Sequence, residues 1–248
     1  GSGVSKEEYK DVETAKKEKE QLGELGELME PALGYVVKVP VSAGKKVDIS
    51  DIEVITNGNL DDVPYKANSS KYNYPDIKTK DSSLQYVRSG YVISPDGGYV
   101  YYKGNSPAKE LPVNQLLTYT GSWDFTSNAN LNAARPAGAG KRVGLVSGDA
   151  KERKYTSQFE VDFATKKMTG KLSDKEKTIY TVNADIRGNR FTGAATASDK
   201  NDPILSADSQ SLEGGFYGPK AEEMAGKFVA NDKSLFAVFS AKHNGSNV

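Results

Sequence analysis

Few residues in this chain could do covalent or metal chemistry, and their spacing argues against it. The stretch "SLEGGFYGPKAEEMAGKFV" (211–229) holds Gly214, Gly215 and Gly218, which could form a phosphate cradle. Such a loop ends in Lys-Ser/Thr or opens a helix after a strand, and its backbone N–H groups hold the anion. Here Pro219 follows and removes one of those donors. General base catalysis near neutrality calls for histidine, and the sole histidine, His243, sits in the polar tail "KHNGSNV". There is no cysteine for a thiol nucleophile or a zinc cage. Two carboxylate pairs remain, Asp61-Asp62 and Glu222-Glu223. Adjacent strand residues point to opposite faces, and neither pair lies in an apolar setting that would raise a pKa. The sequence therefore predicts no enzyme, no metal and no cofactor.

The surplus lies in tyrosine. Tyr65, Tyr72, Tyr74, Tyr86, Tyr91, Tyr99, Tyr101 and Tyr102 crowd into one part of the chain. In "YVYYKG" alternation sends Tyr99 and Tyr101 to one face and Val100 and Tyr102 to the other. Strand tyrosines of this kind are core. A loop tyrosine such as Tyr65, with arginine nearby, has the composition of a protein-binding hot spot.

The elements that must position these groups read as β-structure. The chain has 248 residues, with 24 glycines, 14 tyrosines and a formal charge of zero. Glycine-rich, tyrosine-rich composition favours turns and half-buried strands. No basic stripe suggests nucleic acid, and no apolar run approaches the ~20 residues that cross a bilayer. Gly1-Ser2-Gly3 reads as an expression scar, so a leader or lipid-anchoring cysteine would have been cut away.

Residues 1–30 form a charged tether with a short helix expected over about Val12 to Gln21. "YVVKVPVS" (35–42) reads as a strand, with Pro40 near its end. The polar stretch 56–83 reads as a long loop, either functional or disordered. "LQYVRSGYVIS-PDGG-YVYYKG" reads as a hairpin on the turn Pro95–Gly98. "SPAKELP" then punctuates the chain, which divides it into a handle over 31–112 and a second domain over 113–248. In the latter, strands are expected at 115–124, 141–147, 155–163, 167–173, 177–186, 190–198, 206–217, 223–230 and 234–241. The hairpins "FEVDF-ATK-KMTGKL" and "YTVNADI-RGN-RFTGAAT" echo each other, with Gly170 and Gly193 at matching places. Such spacing suggests a barrel or sandwich, with glycines where strands bend or approach closely. "LEGGFYGPKAEE" is then a corner, with Phe216 capping the interior and Pro219 entering a short helical turn. Trp123, Phe125, Phe159, Phe191 and Phe228 point inward and argue for a filled barrel rather than a lipid carrier.

The segments "QYVRSGYV", "YVYYKGNSPAKELP", "TYTGSWDF", "FEVDFATKKMTGKL", "ADIRGNRFTGAATA" and "GGFYGPKAEEMAGKF" resemble, in order, the N-lobe of the transferrin-binding protein B family. Residues 5–60 resemble its anchor peptide and first handle strands less distinctly. The resemblance implies an all-β fold with minor α: an antiparallel-sheet handle followed by an eight-stranded β-barrel. It implies a lipid-anchored lobe on the outer-membrane surface, facing outward, with no other contact with the membrane. It also implies capture of iron-loaded host transferrin through the C-lobe of transferrin, with transferrin-binding protein A taking the iron. The site expected on that basis is the handle cap and barrel tip: Tyr65, Arg88 and Tyr91, with Phe125 and Arg135 from the barrel. A strand break at Ser89-Gly90 is expected to turn Arg88 and Tyr91 to one rim. Where the family carries bulky loops after "WDF", this chain has "TSNANLNAARPAGAGKRV", and "SDKNDPILSADSQ" is also short. A loop-pruned antigen scaffold that binds transferrin weakly or not at all, or a lobe for another host protein such as haemoglobin or a complement regulator, stays open.

Overall fold

The computed structural model describes residues 32–40, 47–62, 76–78, 84–94, 97–128, 145–146 and 155–244. Among these there is no α-helix, only a 3-10 turn at Ile49–Asp51 capped by the Asp48 side chain. The helix expected over Val12 to Gln21 and the turn residues Pro95 and Asp96 lie outside the described residues.

The first sheet joins β1 (Gly34–Val39), β2 (Glu53–Val54), β3 (Asp76–Lys78), β4 (Val87–Ser94) and β5 (Gly97–Gly104) in the order β2-β1-β5-β4-β3. The hairpin pairs as far as Ser94↔Gly97, so Gly97 and Gly98 belong to the strand rather than the turn. Alternation is kept through β5: Tyr99 and Tyr101 cluster with Val36, Ile55 and Val92 on one face. Val100 and Tyr102 join Val37, Val39 and Val87 on the other.

The second sheet contains β6 (Leu116–Ser127), β7 (Leu145–Val146), β8 (Tyr155–Asp162), β9 (Lys167–Asp174), β10 (Lys177–Arg187), β11 (Arg190–Ala197), β12 (Ser209–Tyr217), β13 (Glu223–Val229) and β14 (Leu235–His243). Neighbouring strands pair antiparallel, and β14 closes onto β6 from Leu235↔Ser127 to His243↔Tyr119. The result is a closed eight-stranded barrel, with β7 added at its rim beside Thr126 and Ser127. Closure removes the edges that an open sheet would expose.

Strands β8 to β11 follow the period-2 rule, with Phe159, Val161, Met168, Leu172, Val182 and Phe191 inward and polar residues outward. Gly170 faces the ring of Phe159, and Gly193 packs against the backbone of Asn183 and Ala184, so neither place has room for a Cβ. Trp123, Phe125, Phe159, Phe191 and Phe228 are all buried in one core, which fills the barrel. Phe216 sits among Tyr119, Phe163 and Phe191 with ring centroids 5.2–5.8 Å away. It plugs one end. The corner after it is a turn and not a helix: Gly218 has φ +91°, Ala221 has φ +61°, and the Ala221 N–H donates to the Gly218 carbonyl.

Strands β13 and β14 break the alternation because both of their faces are buried. Inward lie Met224, Phe228, Leu235, Ala237 and Phe239. Outward lie Ala225, Val229, Phe236 and Val238, which pack with the Val87, Val100 and Tyr102 face of the handle. The handle is a lid on the outside of the barrel.

Candidate protein-binding surface

Of the five residues expected to bind a partner, Tyr65 and Arg135 lie outside the described residues. The other three are not brought together. Strand β4 runs unbroken through Ser89↔Tyr102 and Gly90↔Tyr101, so the expected break is absent. Ser89 cannot kink away because its hydroxyl meets that of Ser240 on the barrel at 2.7 Å. Alternation therefore holds, and Arg88 and Tyr91 take opposite faces. Tyr91 is half-buried and packs against the cluster shared by handle and barrel. The Arg88 guanidinium folds back, its Nη1 donating to the carbonyls of Leu84 (2.6 Å) and Val87 (2.9 Å). Phe125 is a core residue, with ring centroids 5.6 Å from Trp123 and 5.7 Å from Tyr155. It supports the rim from within and offers no surface.

What fixes the handle beneath such a surface is a carboxylate that the sequence reading set aside. Glu223 is buried, 4% exposed, at the start of β13. Its Oε1 accepts the N–H groups of Gln85 (3.1 Å), Tyr86 (2.8 Å) and Val87 (3.1 Å), and its Oε2 accepts Gln85 at 2.8 Å. One barrel side chain thus gathers the backbone donors that open β4. Burial raises its pKa above the usual glutamate range, against the pull of those hydrogen bonds and the nearby Arg88 charge. This corrects the expectation that neither acidic pair sits where its pKa would rise. Glu222 turns the other way and accepts from the Lys220 N–H.

Other bonds cross the same seam. The Tyr217 hydroxyl donates to the Ala32 carbonyl at 2.7 Å. Lys227 pairs with Glu213 at 3.1 Å, and its ammonium lies 4.6 Å from the centroid of the Tyr35 ring. Burial, followed by the Glu213 charge, raises the Tyr35 pKa, so its phenol stays protonated as a donor. The connection between the sheets is bound as well. Pro107 bridges Tyr217, the Ala108 N–H donates to the Phe216 carbonyl, and Asn189 Nδ2 donates to the Ala108 carbonyl. The outward apolar run "LFAVFSA" was the signal for this seam in the sequence, since a strand apolar on both faces must be covered on both.

A polar loop borders the handle sheet. The Asn57 side chain accepts the Asn59 N–H (2.8 Å) and donates to the Asp62 carboxylate (2.9 Å), and the Asn59 side chain accepts the Asp61 N–H (3.0 Å). Asn105 Nδ2 donates to the Gly58 carbonyl at 2.7 Å. The buried Lys103 ammonium donates to the carbonyls of Asn59 and Asp62, the latter at 2.7 Å.

Among the described residues no group of three acidic or histidine side chains could hold a metal ion. His243 is not in a tail: it ends β14, paired with Tyr119, its ring 5.6 Å from the phenol. The two sheets are packed and hydrogen-bonded to each other. Among the described residues no helix is long and apolar enough to cross a membrane.

Two family models cover the chain in tandem. Residues 8–108 match the N-lobe handle of Tf-binding protein B, and residues 111–243 match the C-lobe and N-lobe beta barrels of Tf-binding protein B. A curated relative, transferrin-binding protein B of Neisseria meningitidis serogroup B, is 38% identical over 213 residues, covering 65% of this chain and 35% of its own. The chain spans about a third of the length of curated relatives it matches. The solved structure of intact Ap-TbpB, with N and C lobes, is 82% identical and superposes with a TM-score of 0.79 over 90% of this chain and 50% of that one. A point mutant of the vaccine antigen transferrin binding protein B from Actinobacillus pleuropneumoniae H49 is 81% identical, with a TM-score of 0.78 over 86% of this chain and all of that one.

Proposed function

Because this chain belongs to the transferrin-binding protein B family, we propose that it is an N-lobe that captures host transferrin for iron acquisition. The observation that carries the reading is the handle match followed directly by the barrel match, on a chain whose handle sheet is docked against its barrel. The handle is assigned residues 31–112, the barrel 113–248, and residues 1–30 act as the tether. In this reading the lobe is held by a lipid anchor on the outer-membrane surface, facing outward. It grips the C-lobe of iron-loaded transferrin, and transferrin-binding protein A removes the iron. The lobe catalyses nothing and keeps no iron.

The contacts are proposed on the handle cap, with Tyr65 beside the barrel loop that carries Arg135, and with Arg88 and Tyr91 contributing from opposite faces of β4. Phe125 stiffens that rim from inside. Tyrosine offers a rigid ring and a hydroxyl at small entropic cost, and arginine can fork onto a carboxylate. Hot-spot truncations commonly cost ~2–4 kcal/mol, enough to move a nanomolar complex toward micromolar. Surface plasmon resonance with iron-loaded and iron-free transferrins of several mammalian hosts tests the reading. Tyr65→Ala and Tyr91→Ala should weaken binding, and tight binding that survives both places the contact elsewhere. A second reading, a loop-pruned scaffold, is favoured by the Ala-Gly-Pro composition of 133–140. It predicts no binding by the unaltered chain.

A further inference from the structure

We infer that Lys103 is the positioning residue of the loop 56–62 and that this loop is part of the partner-facing surface of the handle. The second half rests on the transferrin-binding reading above.

The inference begins with where the ammonium is. Lys103 is 1% exposed, near the end of β5 and opposite Gly34 and Arg88 in the neighbouring strands. Burying an ammonium is costly unless it is paired and hydrogen-bonded. Among the described residues the other buried lysine, Lys227, meets that cost with the Glu213 carboxylate. Lys103 instead spends two of its donors on main-chain carbonyls, those of Asn59 and Asp62. A carbonyl has no charge to offer; the Asp62 carboxylate acts on the ammonium only through its nearby charge, and the bonded contact is to the main chain. What it fixes is the course of the backbone.

That backbone has little other reason to be ordered. Thr56, Asn57, Asn59, Asp61 and Asp62 are exposed, and Gly58 and Leu60 are only half-buried. Its internal bonds are all local: two Asx turns, the Asn57–Asp62 side-chain bond and the Asp62 N–H on the Asn59 carbonyl. Such bonds shape a loop but do not attach it to the sheet. Attachment comes from Lys103 and from Asn105, which holds the Gly58 carbonyl at 2.7 Å. Both come from the end of β5 or just beyond it. A surface loop held this firmly, with its polar side chains outward, is pre-organised for contact, because ordering it on binding would otherwise subtract from affinity. In the chain it leads directly to Tyr65.

The test compares Lys103→Met, Lys103→Arg and Asn105→Ala with the unaltered chain, by amide hydrogen exchange of the free protein and by binding to iron-loaded transferrin. Lys103→Met keeps the length and loses the charge and donors. Exchange across 57–62 should quicken at least tenfold while the β10 and β11 amides keep their protection. If the loop then holds its competent shape about a tenth of the time, association slows about tenfold with dissociation within about twofold. Loss of a direct contact would raise dissociation instead. Lys103→Arg should recover much of the association rate, and Asn105→Ala should give a smaller change of the same kind. Unchanged exchange at 57–62 in Lys103→Met overturns the positioning role. Should that variant not fold, Asn105→Ala decides by the same readings. A loosened loop with unchanged association overturns the partner-facing role. No binding by the unaltered chain sinks the transferrin reading and the partner-facing role together, while exchange still decides what Lys103 does.

Discussion

The barrel and the handle solve the problem of a β-sheet in water differently. The barrel closes β14 onto β6, so its ladder has no free side and its interior is filled by its own aromatics. The handle stays open, ending in the two-residue β2 on one side and the three-residue β3 on the other. Its inner face is completed by Ala225, Val229, Phe236 and Val238, which belong to the barrel. One region carries its own core and the other borrows half of one. Stability should therefore be lost in one step when the barrel is damaged. Damage at the seam should loosen the handle alone.

The largest effect should come from the barrel side. Trp123 is fully buried, its ring stands edge-on to Tyr155 and Tyr180, and its Nε1 donates to the Ser173 carbonyl at 2.9 Å. Trp123→Ala should cost ~3–5 kcal/mol and lower the melting temperature of both regions together. Differential scanning calorimetry reads this directly, since Trp123 is the sole tryptophan and its fluorescence goes with it. A nearly unchanged transition would mean that the barrel is not the foundation.

Next comes the seam. Glu223→Ala removes the shared acceptor of the N–H groups of Gln85, Tyr86 and Val87, and strands that of Val87 in a buried place. Hydrogen bonds to a charged group contribute ~1.5–3 kcal/mol, so a loss of about 2–4 kcal/mol is expected for the set. Hydrogen exchange should show β4 and β5 opening while β8 to β11 stay protected. Equal loss of protection in both regions would erase the distinction drawn above. Tyr217→Phe is gentler: it removes only the bond to the Ala32 carbonyl and should cost about 1 kcal/mol, again on the handle side.

The same contrast explains what could be read in the sequence. Strands β8 to β11 are solvated outside, so "FEVDF" and "YTVNADI" alternate visibly and their bounds were legible to within a residue or so. Phe216 as plug and Trp123 and Phe125 as interior residues followed from the same parity. The run "LFAVFSA" signals a covered outer face, but what covers it did not show, because the seam's contacts join residues about 140 positions apart, and no local pattern pairs Glu223 with Gln85. The supposed break at Ser89-Gly90 failed for the same reason. Glycine suggested a kink, but the tertiary bond from Ser89 to Ser240 holds the strand straight. Lys103 was invisible too, since a lysine in "YYKG" reads as an ordinary strand-end charge.

The smallest expected effect is also the most local probe of the seam. Burial raises the Glu223 pKa in the folded chain above its ordinary value, so between the two values the folded state binds more protons than the unfolded one. Stability then falls as pH rises. The contribution of this group is fully present below the ordinary glutamate value of about 4.3 and is lost as pH climbs through the raised value. Asp162 and Asp208 act in the opposite sense. The backbone N–H of Thr165 holds the first below its usual range, and the Lys200 side chain does so for the second, so their contributions are lost as pH falls through those lowered values. Both remain when Glu223 is changed to Gln. Urea denaturation of the two chains over a pH series therefore isolates the seam by subtraction. The difference in unfolding free energy, unaltered chain minus Glu223→Gln, should slope downward from about pH 4.3 and flatten once the carboxyl is fully ionised. A flat difference across that range would mean that Glu223 is as well solvated folded as unfolded. In that case the handle does not seal over it, and the sheet is hinged rather than seated.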